Sequence, residues 1–236
     1  MVNSFSVKRS PLVIKTFLSI LLPTILMNLT TAIGSMADTV IIGQYLDDLS
    51  LSVVTYATPI YMIINMIAAL FAIGGCIAVS VDTGKGDKAG ANKAFSVSAI
   101  CLVFLSMILF FAGVFFSRQI TFLLGAGNEL VFDKVKTYVQ IILLGAPIFI
   151  LNIAGAFFVR NDGRPTLSMV GMISGMGIDI ILNLVFVGFM SMGVAGAAIS
   201  TVIGQGVGLI IVGSHFLSKK NTLKFRFAFD SSVCRI

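Results

Sequence analysis

Charge vanishes from this sequence for long stretches, and that absence constrains the fold more than any residue that is present. No Asp, Glu, Lys or Arg occurs in 16–37, 49–81, 94–117, 137–159 or 180–218, and a further charge-free piece covers 165–178. A helix needs about 20 apolar residues to cross ~30 Å of hydrocarbon, where every backbone polar group must be satisfied internally. The run over 180–218 is too long for one crossing and contains a glycine-bracketed break, GFMSMGVAG, from Gly188 to Gly196. It therefore divides in two. The sequence predicts an all-α, polytopic membrane protein, a bundle of six transmembrane helices near 12–45, 51–81, 92–117, 134–159, 166–188 and 193–217. Residues 1–11 form a cytoplasmic N-terminus, 12–217 the six-helix lobe, and 218–236 a basic cytoplasmic tail.

Composition agrees with lipid as the solvent. Charged residues make up 11% of the chain and the mean hydropathy is +1.04, whereas a soluble domain carries about 25% charge. A net charge of +6 would raise nucleic acid binding in a soluble protein; here the basic residues mark cytoplasmic loops, and no nucleic acid partner is expected. The N-terminus, the second and fourth loops and the tail hold thirteen of the sixteen Lys and Arg; only Arg118, Lys134 and Lys136 fall elsewhere. Both termini are therefore expected in the cytoplasm, in a multi-pass protein of the plasma (inner) membrane. Lys8 and Arg9 precede an apolar run as in a secretory signal, but the run is long and lacks a small-residue cleavage site, so it is read as an uncleaved first helix. Cys76, Cys101 and Cys234 have no metal-site or redox-pair spacing, and no cofactor is expected.

Two acids lie inside predicted spans: Asp38 in SMADTVIIG and Asp179 in GMGIDIILNLVF. A carboxylate at the centre of a membrane helix costs about 2.5–3.5 kcal/mol on insertion scales, so each requires a partner, water or a function. Asp179 and Asn183 are four residues apart and share a helix face. Thr201 lies on the next, antiparallel helix. Asp38, Asp179, Asn183 and Thr201 together offer carboxylate, amide and hydroxyl oxygens to a hard cation such as sodium, or a pair of carboxylates to protons. The residues do not decide between H+ and Na+. Structural alternatives are headgroup hydration for Asp38 and a local hydrogen bond for Asp179; they are disfavoured because the residues around both acids are apolar or small, with no basic side chain among them to neutralise either.

Pro23 stands fifteen residues before Asp38, ~22 Å along a helix. Proline removes a backbone bond and kinks the helix, which makes Pro23 a candidate hinge or a static kink. Pro59 and Pro147 are read as static. Tyr138, Gln140, Asn152 and Asn65 are candidates to line a polar cavity. His215 is expected to be an ordinary interfacial imidazole. An intramembrane serine protease would need Ser and His together; the only histidine lies at a helix end and there is no G-x-S-G, so no enzymatic activity is expected.

Several segments, in order along the chain, carry a family likeness: LLPTILMNL, MADTVIIGQYL, DTGKGDKAGANKA, FLLGAGNEL, RNDGRPTLSM and GVAGAAISTVIGQ. The sequence resembles the multidrug and toxic compound extrusion (MATE) family. The resemblance implies two six-helix lobes about a pseudo-two-fold axis, with a cation site in the N-terminal lobe, to which Asp38, Asp179, Asn183 and Thr201 correspond. It implies that Pro23 matches the position where the first helix bends on protonation in some members. The family commonly has Asn then Asp on the fifth helix; here the order is reversed. Arg164 also stands where an Asn usually precedes the proline. The implied function is cation-coupled export of amphiphilic, often cationic, solutes by alternating access. The alternatives are a lipid-linked oligosaccharide or polysaccharide flippase, which should carry basic residues in its spans, and a non-transporting membrane fragment. The expected partners are the solute, the lipid bilayer and a second six-helix lobe, either a missing C-terminal half or a second copy.

Overall fold

In the computed structural model, which describes residues 11–126, 129–218 and 221–224, the charge-free stretches are helices. They are α1 (Pro11–Tyr45), α2 (Asp48–Gly84), α3 (Lys88–Leu123), α4 (Glu129–Leu144), α5 (Ala146–Asn161), α6 (Pro165–Asn183) and α7 (Gly193–Leu217), with a π-helical turn, Leu184–Phe189, continuing α6. Among the described residues, five helices are long and apolar enough to cross a membrane, and α4 with α5 makes a sixth, bent crossing. The chain is an all-helical, multi-pass membrane protein. Residues 1–10, most of the expected tail and Cys234 lie outside the described residues.

Helix starts are written in the polar loops. Asp47 caps α2, its carboxylate accepting from the Ser50 amide at 3.1 Å and from the Ser50 hydroxyl. Asp87 caps α3 by accepting from the amides of Ala89 and Gly90 at 3.0 and 2.9 Å. Such caps satisfy amide groups that have no partner within the helix. The exterior is greasy: Met36, Leu70, Phe104, Phe115 and Ile210 are all exposed, as lipid-facing side chains should be.

The fourth span corrects the expectation of one helix over 134–159. The chain bends by 49° between α4 and α5, at Gly145 and just before Pro147, which occupies the first turn of α5. Proline has no N–H to continue the ladder of α4, yet fits the start of a new helix. Pro147 therefore marks a helix start, where a static proline within one helix is the sequence expectation. Pro23 and Pro59, by contrast, lie inside α1 and α2, each assigned as one helix.

The tightest helix pair is α6 with α7. Gly171 and Gly175 on α6 face Gly204 and Gly208 on α7, and a Cβ built on Gly175 would stand 2.7 Å from the Gly204 carbonyl oxygen. Small residues four apart on both partners let the backbones touch, the usual means of close association where hydrophobic burial supplies no drive.

The two ends of the bundle differ. At one end, Lys134 of α4 meets Asp47 at 3.2 Å. At the other, segment 221–224 folds back over the bundle: the Lys224 amide donates to Asn92 Oδ1 at 2.7 Å, and the amide and hydroxyl of Thr222 donate to Asp162. Asp162 also meets His215 Nε2 at 2.6 Å, with both side chains buried. The expectation of an ordinary interfacial imidazole at His215 is corrected here, because the fourth loop and the chain after α7 close over the ring.

Candidate functional site

Helices α1, α2, α4, α5, α6 and α7 line an open cavity of about 620 Å³, within the range of pockets that bury a drug-sized molecule. Its walls mix apolar side chains with hydroxyls, amides and the two intramembrane carboxylates. Asp38, Asp179, Asn183 and Thr201 all line it, as do Tyr138, Asn152 and Asn65. Gln140 does not. It is half-buried on α4 outside the lining, and two residues of helix turn it about 200° away from Tyr138. Pro23 is buried one turn before Met27, the first residue of α1 to reach the cavity.

Asp38 and Asp179 reach this space from helices far apart in sequence. Asn183 Nδ2 donates to Asp38 Oδ1 at 2.8 Å, so the amide joins α6 to α1. The reversed order on α6 has a consequence at this point. With the carboxylate at 183 it would face that of Asp38 at hydrogen-bond distance, whereas Asp179 lies one turn nearer the start of α6. Asp179 is 3% exposed. The Ser200 and Thr201 side chains stand beside it, but their hydroxyls donate to the Ala197 carbonyl at 2.8 and 2.9 Å.

Consequently Asp179 Oδ1 is a buried acceptor with no donor, and Asn183 Oδ1 is another. Buried acceptors left unpaired cost about 1–3 kcal/mol, more when charged. A proton on the Asp179 carboxyl would remove its charge, and a hard cation shared by the carboxylate and amide oxygens would give both a partner. The donor set is all oxygen, which suits sodium better than a soft metal. No cluster of three or more His, Cys, Asp or Glu side chains able to hold a metal occurs among the described residues.

The rest of the cavity is knit by polar pairs. Asn152 Nδ2 donates to Gln205 Oε1 at 2.7 Å, and the Tyr61 and Tyr138 hydroxyls are 3.2 Å apart. Tyr61 and Gln205 are not among the residues expected from the sequence, although Gln205 stands four residues after Thr201 and Tyr61 four before Asn65, each on the face of an expected residue. Arg160, at the end of α5, also lines the cavity. A basic side chain in the wall beside the two acids was not expected: in the sequence Arg160 reads as a loop residue past the span ending at 159, but α5 runs to Asn161 and carries it onto the lining face.

The fold and the site define a class: a polytopic α-helical membrane protein whose helices line a largely apolar cavity that contains two carboxylates. More specifically, the chain belongs to the MatE family, whose model matches residues 23–185. It is similar to the multidrug export protein MepA of Staphylococcus saprophyticus, 28% identical over 217 residues that make up 92% of this chain and 48% of that protein. Its fold is similar to that of a MOP superfamily transporter from Pyrococcus furiosus, with a TM-score of 0.82 at 23% identity, over 90% of this chain and 47% of the other. It is also similar to a multidrug resistance MATE family transporter in an outward-facing conformation, with a TM-score of 0.80 at 22% identity and coverage of 90% and 47%. The chain spans about half the length of the curated relatives it matches.

Proposed function

We propose that this chain is the cation-coupling lobe of an exporter that uses a proton or sodium gradient to expel amphiphilic, often cationic, solutes by alternating access. The observation that carries the reading is the convergence of Asp38 and Asp179 on one drug-sized cavity, with buried oxygens of Asp179 and Asn183 left without donors. A coupling ion drives such a cycle only if it binds one facing state better than the other. Asp38, Asp179, Asn183 and Thr201 hold that ion, and Pro23 is the hinge through which α1 responds. The name of the staphylococcal relative, a multidrug export protein, supports drugs as cargo.

The chain works as a transporter without catalytic chemistry, in the plasma membrane, with its termini in the cytoplasm by the distribution of basic loops. A second six-helix lobe completes the cavity, supplied by a further half of the same protein or by a second copy. The match to MepA favours drug export over a lipid-linked oligosaccharide flippase. The test is dye efflux from proteoliposomes under imposed pH and sodium gradients. Wild type should export against the dye gradient, and Asp38→Asn should insert normally but lose gradient-driven export. Wild-type rates from that variant would reject the coupling role.

A further inference from the structure

The cavity carries charge of both signs, at opposite ends. Asp179 stands fourteen residues after Pro165, ~21 Å up α6, whereas Arg160 lies just before the 162–164 loop that feeds α6. Both line the same space. The Arg160 guanidinium is centred 4.7 Å over the Phe157 ring, and Phe157 is itself a lining residue. Among the described residues, no ion pair includes Arg160.

Its platform is fixed. Asn161, the next residue, accepts from the Ser80 hydroxyl at 2.9 Å and donates to the Cys76 carbonyl at 3.4 Å, tying the end of α5 to α2. A basic residue in the last turn of a helix is ordinarily explained by the helix dipole. That explanation needs only a cation near the terminal carbonyls. It does not require a guanidinium over the face of an aromatic side chain in the wall of a drug-sized cavity. A guanidinium has N–H groups in a fixed fork, and a carboxylate fits them through two parallel hydrogen bonds.

We infer that Arg160, held over the Phe157 ring, is a carboxylate-accepting subsite at the loop end of the cavity, so that the preferred solutes are elongated zwitterionic amphiphiles. The cationic group of the solute lies toward Asp38 and Asp179, and its carboxylate toward Arg160. This deepens the proposed function and rests on the cavity being the solute site.

The test uses the lipid-embedded full chain and two fluorescent probes: a dansyl-labelled alkylammonium with a carboxylate at its far end, and the methyl ester of the same molecule. Charge-assisted hydrogen bonds should give the free acid about a tenfold or greater advantage in Kd over the ester in wild type. Arg160→Gln should bring the ratio of the two affinities close to one. Arg160→Lys, which keeps the charge and loses the fork, should fall between and serves if the Gln variant does not fold. An unchanged ratio in Arg160→Gln, a lysine variant equal to wild type, or no preference in wild type would overturn the subsite while leaving the solute cavity standing. Failure of wild type to bind either probe would overturn both the cavity's role and this inference.

Discussion

Gly204→Ala tests how closely the ion site depends on the α6–α7 crossing. A Cβ built on Gly204 would lie 2.7 Å from Asp179 Cβ and 2.7 Å from the Gly175 carbonyl oxygen. Ordinary contact begins near about 3.5 Å, so α6 must retreat by roughly 0.8 Å. Neither obstacle is the far end of a flexible side chain, so the helices themselves have to move. Overpacking of this kind costs about 1–3 kcal/mol, while replacing Gly by Ala within a helix returns up to ~1 kcal/mol. Gly213→Ala, on the same helix, isolates that gain, because nothing lies within 4 Å of the place its methyl group would take. Equilibrium unfolding in mixed micelles should therefore find Gly204→Ala less stable than Gly213→Ala by about 1–3 kcal/mol. Since the displaced atom belongs to Asp179, the affinity for the coupling ion should fall in Gly204→Ala and hold in Gly213→Ala. Equal stability of the two variants would refute the close crossing and its link to the carboxylate.

At the opposite end from the second and fourth loops, the Ser50 hydroxyl and Lys134 lower the pKa of Asp47 to about 2. A depressed carboxylate contributes stability above its ordinary pKa and loses it as pH falls through the folded value. The stability difference between wild type and Asp47→Asn should thus be constant above about pH 5 and shrink from there toward pH 2; parallel curves would contradict the clamp. Pro23→Ala should slow turnover in proteoliposomes more than it weakens solute binding, and equal effects on both would argue for a static kink. Asn183→Ala removes the donor to Asp38 Oδ1 and should destabilise the protein by about 1 kcal/mol, with an unaltered unfolding midpoint as the contrary result.

Much of the architecture was legible because membrane helices leave a simple signal, the absence of charge over a span. The break at Gly145 was less visible, since the apolar run continues through it and only the Gly-Ala-Pro sequence marks a new helix start. The π-helical turn over Leu184–Phe189 has no comparable sign in LVFVGF. Asp38 and Asp179 were identifiable because an intramembrane carboxylate is costly. That they face one cavity depends on how α1 packs on α6, which periodicity does not specify. Arg160 was hidden by its position, because the boundary between loop and helix decides whether it lines the cavity. The Gly171/Gly175 and Gly204/Gly208 pairs were present in the sequence as two spacings of four, but their facing each other is a tertiary fact. Asp162 and His215 lie 53 residues apart, and nothing local connects them.

Ion competition against a bound lipophilic cation tests the account most directly. With the full chain embedded in lipid, the apparent Kd for the cation should rise as either protons or sodium are increased, and that dependence should vanish in the Asp38→Asn/Asp179→Asn double variant. Wild-type affinity indifferent to both ions would contradict the coupling of an ion to the solute through this pair of carboxylates.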